Sequence, residues 1–248
     1  MAVRTIGRWL LGAAACGFAG LAYLWFTVPD VRPLRAMPPA STAFMDLRAR
    51  EARAAGKPVR KSQRWINYGR ISPSLIRAVL VSEDAAFWSH DGVDLDEIKA
   101  SIEVSIEKGE PMRGASTITQ QLAKNLYLSP SRNPTRKLSE LFITRRLEVE
   151  LSKRRILELY LNLIEWGDGI WGCEAAAHAY FGVSASDLSP SQAALMAAVI
   201  INPRRYSPAH PSPFMLRRQT LILRRMGEVT PPQSEDPPRA DKPGVPIG

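Results

Sequence analysis

An unbroken run of apolar residues opens the chain, and later apolar positions recur mainly with helical spacing. Residues 9–28 contain no charged side chain and are long enough to cross the hydrocarbon core of a bilayer, with Arg4 and Arg8 before them. A cleaved signal peptide would carry its small-residue site after the apolar run, whereas the alanines at 13–15 lie inside it. The pattern therefore predicts an uncleaved, single-pass transmembrane helix with a cytoplasmic N-terminus.

From residue 72 onward the apolar residues share helix faces, and the helix starts carry capping residues. Ser72 followed by Pro73 is a typical helix start, and the apolar side chains at 75, 76, 79 and 80 lie on one face. Similar signals predict helices over about 94–108, 134–151, 152–164, 189–201 and 213–228. Residues 60–68 alone suit a short extended segment. The predicted fold class is therefore mostly α.

Proline-rich segments mark the parts of the chain predicted to lie outside the folded domain. Residues 29–59 read as a linker with a basic amphipathic piece at 44–53, and the end of the chain holds six prolines and few apolar residues. The predicted organisation is an anchor over 1–28, a linker over 29–59, a globular domain over 60–228 and a disordered tail over 229–248.

Composition and charge narrow the choice of partners. The chain has 33 Lys and Arg against 24 Asp and Glu, a net charge of +9, which suits nucleic acid, an anionic membrane surface or a phosphorylated substrate. No zinc-finger or RNA-binding signature is present, so nucleic acid is not a predicted partner. Cys16 lies in the apolar run and Cys173 far from it, so no disulfide framework is predicted.

Two adjacent carboxylates, Glu83 and Asp84, follow the helix that starts at Ser72. Glu83 falls at the C-terminal end of that helix, where the helix dipole disfavours negative charge, and aromatic residues Phe87 and Trp88 come next. A carboxylate in such a place should resist ionisation, as a general base requires if its pKa is to approach the working pH. Taken alone, such a pair is more typical of a solvated helix terminus.

A second block is dense in hydroxyls, amides and one cation. Its polar members are Ser116, Thr117, Thr119, Gln120, Gln121, Lys124 and Asn125. On a helix, Thr117, Gln121 and Lys124 would share a face; hydroxyls and amides suit a sugar, and lysine suits a phosphate. The preceding glycines nearly match a P-loop, but Ala115 stands where the lysine is required and no strand precedes it. We therefore predict neither a nucleotide nor an organic cofactor.

Three cations, Arg132, Arg136 and Lys137, gather near the start of the helix predicted from residue 134. Cations oppose the helix dipole at an N-terminus, so their presence indicates a bound anion. Glu140 lies one turn after Arg136 and can pair with it, and an ordinary ion pair is the alternative interpretation of these two residues.

Together and in order, these blocks resemble the family 51 glycosyltransferases, the peptidoglycan polymerases. The matching segments are Glu83-Asp84-x-x-Phe87-x-x-His90-x-Gly92, Gly114-x-Ser116-Thr117-Ile118-Thr119-Gln120-Gln121-x-x-Lys124-Asn125, Arg136-Lys137-x-x-Glu140, Ile156-Leu157-Glu158-x-Tyr160-Leu161-Asn162 and Ala176-Ala177-x-x-Tyr180-Phe181. The resemblance covers roughly residues 60–225. Because the sequence has one predicted anchor and no transpeptidase domain, the chain most resembles the monofunctional biosynthetic members of this family.

The resemblance implies a lysozyme-like helical domain with a small jaw subdomain that dips into the membrane. It implies that lipid II is polymerised into β-1,4-linked glycan strands with inversion and release of undecaprenyl pyrophosphate. Glu83 is then the general base, and Glu140 a second catalytic residue that orients the cations or holds a divalent metal, Mg²⁺ or Mn²⁺. The substrate-binding set is Asp84, Ser116, Thr117, Gln120, Gln121, Lys124, Asn125, Arg132, Arg136 and Lys137.

The same resemblance predicts a bacterial inner-membrane protein whose catalytic domain lies on the periplasmic side. Its expected partners are lipid II, the growing glycan strand, the membrane and proteins of the cell-division or elongation machinery. A glycan-cleaving lytic transglycosylase or lysozyme is one alternative, which would not need clustered cations. An inactive membrane-anchored wall-binding protein is another, and the intact Glu83 and Glu140 argue against it.

Overall fold

The chain is mainly helical in a computed structural model, which describes residues 2–109, 116–128 and 134–232. The helices in these ranges are α1 (Ala2–Thr27), α2 (Ala43–Ala54), α3 (Pro73–Glu83), α4 (Leu95–Lys108), α5 (Ile118–Tyr127), α6 (Pro134–Glu150), α7 (Lys153–Leu163), α8 (Cys173–Phe181), α9 (Pro190–Val199) and α10 (Pro213–Arg225). Short 3₁₀ turns occupy Arg32–Arg35 and Tyr68–Arg70. The predicted mostly α class is confirmed.

Capping residues begin the helices where the sequence places them. Ser72, Ser152 and Ser189 each accept a backbone N–H from the first turn of α3, α7 and α9. At Ser189 the capping box is complete, because the Gln192 side chain also accepts the Ser189 N–H. These contacts satisfy N–H groups that the helix itself leaves unpaired, which is why the local signal was sufficient.

The core is arranged around α9 and α5. Every residue from 193 to 199 of α9 is buried, and α9 packs against both α3 and α10. Four of these seven residues are alanines, whose small side chains allow neighbouring helices to approach closely. In the other half of the core, α5 packs against α6 and α7 and also contacts α2. The ends of α3, α5 and α6 carry the polar residues discussed below.

A small three-stranded sheet lies beside the helices, with β1 (Ser62–Gln63), β2 (Glu165–Gly167) and β3 (Ile170–Trp171) in the order β1-β3-β2. β1 is parallel to β3, and β2 is antiparallel to it. The extended segment predicted at 60–68 contains β1. Asn162 fixes that segment, since its side chain accepts the Ile66 N–H and donates to the Ile66 carbonyl, both at 2.9 Å.

The segment predicted as a linker, residues 29–59, packs on the helical core. Its side chains Val31, Leu34 and Met45 are buried, and α2 coincides with the amphipathic piece predicted at 44–53. Arg155 Nε donates to the Leu34 carbonyl at 2.7 Å. The folded part of the chain therefore begins earlier than its prolines indicated.

Helix α1 extends over nearly all of the apolar residues 9–28. Within the described ranges, however, no helix reaches the combination of length and apolarity that a membrane crossing requires. The structure thus gives no support to the predicted transmembrane helix. The predicted disordered tail lies mostly beyond residue 232, outside the described residues.

Candidate active site

Glu83 is the last residue of α3, at the helix end predicted from the sequence. Its Oε2 accepts a hydrogen bond from Gln121 Nε2 and its Oε1 accepts one from Ser82 Oγ, both at 3.1 Å. Burial raises the pKa of Glu83, and the two hydrogen bonds and the charge of Arg218 oppose this shift only in part. The carboxylate is therefore more basic than an exposed glutamate, as a general base should be.

Two hydrogen-bond chains lead to Glu83 from neighbouring helices. The Tyr160 hydroxyl on α7 donates to Gln121 Oε1 at 2.9 Å, and Arg218 Nη2 on α10 donates to Ser82 Oγ at 3.2 Å. Sequence reasoning missed both outer members. Tyr160 has the spacing of a core residue within α7, and Arg218 lies in an amphipathic helix with no motif around it.

Asp84 is buried and bonded on both oxygens. Oδ2 accepts the backbone N–H of Ile118, the first residue of α5, and Oδ1 lies 2.9 Å from His90 Nε2. The Gly92 N–H donates to His90 Nδ1 at 3.0 Å, so the proton of a neutral His90 lies on Nε2 and is donated to Asp84. The structure thus places Asp84, a predicted substrate-binding residue, between α3, α5 and the loop that follows Glu83.

Several other predicted substrate-binding side chains are occupied inside the protein. Thr117 caps α5 in a capping box with Gln120, and Thr117 Oγ1 donates to the Gly92 carbonyl at 2.7 Å. Asn125 Nδ2 donates to the Gln121 carbonyl at 2.9 Å. Ser116 is exposed at the edge of this group. These contacts build the start of α5, and they place Gln121 and Lys124 on the site side of the helix.

A cluster of cations surrounds Glu140. Arg136 Nη1 lies 2.8 Å from one oxygen of the buried Glu140 carboxylate, and Lys137 Nζ pairs with the other. Lys124 belongs to the same electrostatic group: burial lowers its pKa, the charge of Glu140 opposes that shift, and Arg136 and Lys137 reinforce it. Glu83 also acts on the pKa of Lys124. The pKa of Lys124 therefore depends on both Glu83 and the charges around Glu140.

Arg132, the third predicted cation, lies outside the described residues.

The side chains present do not fit a divalent metal in this arrangement. Each oxygen of Glu140 is already paired with a cation, which a metal ion would have to displace. Asp84, His90 and Asp94 bring ligand atoms within 4.8 Å of one another. Asp84 and His90 are committed to the hydrogen bonds above, and Asp94 caps α4 by accepting the Glu97 N–H at 2.8 Å.

A buried ion pair between Glu148 and Lys153 contacts the loop after Glu83. Glu148 Oε1 accepts from Thr119 Oγ1 at 2.6 Å and pairs with Lys153 Nζ at 2.7 Å. The Lys153 ammonium lies 4.4 Å from the centre of the Phe87 ring. Gly92 has a φ of +89°, and a Cβ there would lie 2.6 Å from the Thr144 side chain, so only glycine fits between the loop and α6.

The arrangement defines a class of site. A basic, partly buried carboxylate suits proton removal from a hydroxyl, and a neighbouring group of cations suits a phosphate-bearing substrate or leaving group. A helical enzyme that transfers or cleaves sugars attached to an anionic group would need both features.

Comparison with known proteins gives the family. The transglycosylase family model matches residues 50–227. A biosynthetic peptidoglycan transglycosylase of Nitrosospira multiformis is 47% identical over 194 residues, which is 78% of this chain and 84% of the relative. Proteins of the same name from Laribacter hongkongensis and Thiobacillus denitrificans are 48% and 45% identical, over 78% and 93% of this chain and 85% and 100% of theirs. The chain belongs to the transglycosylase family.

Proposed function

We propose that this protein is a peptidoglycan glycosyltransferase that polymerises lipid II into β-1,4-linked glycan strands. The observation that carries the proposal is the partly buried Glu83, bonded to Gln121 on α5, beside the Arg136 and Lys137 pairs with Glu140 on the adjoining α6. The relatives named biosynthetic peptidoglycan transglycosylases support the same reaction. A polymerase of this kind acts in the cell envelope.

In the first step, the ionised Glu83 takes the proton from the 4-hydroxyl of the N-acetylglucosamine of the acceptor. Its oxygens already accept from Ser82 and Gln121, and each retains a further lone pair for the incoming proton. Protonation then neutralises a buried charge, which favours the transfer because burial disfavours the ionised form.

In the same step, the freed acceptor oxygen attacks C1 of the N-acetylmuramic acid at the end of the growing chain. The bond from C1 to the pyrophosphate oxygen breaks with inversion, and undecaprenyl pyrophosphate leaves with the electron pair. Lys124, Arg136 and Lys137 stabilise the negative charge that develops on the leaving group, and the sequence adds Arg132 to this set.

Glu140 acts on the cations rather than on the substrate. Its side chain is buried and holds Arg136 on one oxygen and Lys137 on the other, so it fixes the positions of both charges before the substrate arrives. No divalent metal takes part in this proposal, because the charges of Arg136 and Lys137 already exceed that of Glu140 and would repel a further cation.

The remaining predictions follow from the substrate. A lysozyme-like domain with a membrane-facing jaw, a periplasmic position and contacts with cell-division or elongation proteins all suit an enzyme that works on a lipid-linked precursor. Attachment to the inner membrane through residues 9–28 stays a prediction of the sequence.

Incubation of the full-length protein with fluorescent lipid II, and separately with preformed glycan, tests the proposal. We expect polymer from lipid II and no shortening of the glycan, with polymer formation nearly abolished in Glu83→Gln. Glu228→Gln is the matched control, since it makes the same change in an exposed carboxylate paired with Arg225. Glycan shortening would indicate a lytic enzyme, and binding without either reaction an inactive wall-binding protein; either result contradicts the proposal.

A further inference from the structure

The contact between Gln121 and Glu83 has two chemically different forms. A side-chain amide offers an NH₂ donor at one end and a carbonyl acceptor at the other. An NH₂ group facing a carboxyl group favours the ionised carboxylate, whereas an amide oxygen facing it favours the protonated acid. The pKa of Glu83, and with it the pH at which the base works, therefore depends on which end of the Gln121 amide faces it.

The hydroxyl of Tyr160 determines which end of the Gln121 amide faces Glu83. It donates to Gln121 Oε1 at 2.9 Å, which leaves Nε2 directed at Glu83 Oε2, 3.1 Å away. Tyr160 is fully buried, so its ring is held by packing within the core around α7. If the amide turned over, the Tyr160 proton would lose the acceptor that it has now, at a cost typical of a buried unpaired donor.

Tyr160 also remains a donor over the whole working pH range. Burial and the charges of Glu83 and Asp84 raise its pKa well above the ordinary value. The Tyr160 hydroxyl can therefore donate to Gln121 whether Glu83 is ionised or protonated.

We propose that Tyr160 is a positioning residue for the general base: its hydroxyl fixes the Gln121 amide so that Nε2 always donates to Glu83. This inference rests on the proposed function, in which Glu83 is the base. The charged and titratable groups that face Glu83 are Asp84 at the end of α3, Lys124 on α5, Tyr160 on α7 and Arg218 on α10. Removing the Tyr160 hydroxyl leaves the other three in place.

Tyr160→Phe in the full-length protein tests the inference through the pH profile of lipid II polymerisation. Without the hydroxyl, only the long contact of 3.5 Å from Gln121 Nε2 to the Ser116 carbonyl still favours the present orientation, so the amide can turn its oxygen towards Glu83. We expect the acid limb to move to higher pH by about one unit, which is the size expected for one hydrogen bond to a charged group. The rate well above the limb should fall only a few-fold, and the KM for lipid II should not change, because the substrate contacts remain.

Tyr180→Phe is the matched control. The Tyr180 hydroxyl donates to the Trp166 carbonyl at 2.9 Å, so its removal deletes a hydrogen bond of the same length away from Gln121. Both variants should lower the thermal transition, and only Tyr160→Phe should move the acid limb. If both destabilise the protein and neither moves the limb, Tyr160 is only structural and the inference is wrong.

Gln121→Leu gives an independent test, which holds even if Tyr160→Phe fails to fold. It should move the acid limb in the same direction, and in combination with Tyr160→Phe it should add no further shift, since both act through the amide. An unmoved limb in Gln121→Leu, or additive shifts, would overturn the inference. If instead the acid limb survived in Glu83→Gln, the proposed base itself would be wrong, so the two failures are distinguishable.

Discussion

Replacing Glu83 by glutamine should make the protein more stable and less active at the same time. Burial raises the pKa of Glu83 above its ordinary value of 4.5, so the unfolded chain releases this proton at a lower pH than the folded one. The protonated carboxyl therefore contributes stability that is complete below about pH 4.5 and is lost as the pH rises through the folded pKa. At neutral pH the ionised Glu83 destabilises the fold.

The local geometry accommodates the substitution. A glutamine at position 83 can still accept from Gln121 Nε2 with its oxygen, and its NH₂ can donate to the Ser82 hydroxyl, which rotates freely. Each unit by which the pKa of Glu83 is raised corresponds to about 1.4 kcal/mol of stability regained at neutral pH. In a protein of this size, that is roughly a 3–6 °C rise in Tm per unit. Polymerisation should fall by about 10²–10⁴-fold, since the general base is lost.

Thermal denaturation from pH 4 to pH 8, combined with the lipid II assay, separates these effects. The Tm difference between Glu83→Gln and the wild type should be largest near neutral pH and should vanish below about pH 4.5. Glu228→Gln, in an exposed pair, should show neither the stabilisation nor the loss of activity. A Glu83→Gln protein that was less stable than wild type at pH 7, or that polymerised lipid II within a few-fold of wild type, would refute the reasoning.

Three further predictions concern the cations and the N-terminus. Lys124→Ala should reduce polymerisation and should keep or raise the Tm, because burial lowers the pKa of this ammonium and its charge opposes folding at neutral pH. A variant that lost its thermal transition while its folded fraction kept normal activity would contradict this. Glu140→Gln should lower the rate and should lower the free energy of unfolding by about 2 kcal/mol, because two cations lose their charged partner. Added Mg²⁺ should not restore the rate, and restoration would favour a metal. Deletion of residues 2–28 should release the protein from membranes in fractionation, and a full-length protein found in the soluble fraction would show that the anchor is wrong.

Local signals in the sequence were sufficient for most of the helices, although α8 was not predicted. Ser72, Ser152 and Ser189 predict helix starts because a capping side chain acts on N–H groups within three residues of itself. The helical spacing of apolar residues also predicts which face of each helix is buried. Both kinds of information lie within one element, so no knowledge of the neighbouring elements was needed.

Features that depend on distant partners were not predictable in the same way. Strands β2 and β3 have three and two residues, too few for an alternating pattern to appear. The proline-rich segment 29–59 is fixed by residues more than 100 positions away, as in the 3.0 Å pair between Arg48 and Glu165. A local pattern carries no information about such a partner.

The same limit explains what sequence reasoning achieved at the site. It selected Glu83, Gln121, Lys124 and the cations around Glu140, which lie together in the structure. It could not distinguish a hydroxyl or carboxylate that caps a helix from one that faces a substrate, because both uses need the same atoms. Thr117 is occupied in building α5, although its residue type suits a sugar.

Helix α5 connects the two halves of the proposed reaction. Asp84, the residue next to the base, accepts the first N–H of α5, so the end of α3 and the start of α5 are joined by a buried hydrogen bond of 2.9 Å. One turn into α5, the Gln121 side chain donates a hydrogen bond to Glu83. Three residues later, Lys124 interacts electrostatically with Glu140. The spacing between Glu83 and Lys124 is therefore set by α5, and the positions of Arg136 and Lys137 depend on the packing of α6 against α5. A change at the start of α5 should affect proton transfer and pyrophosphate departure together, even though no side chain there touches both.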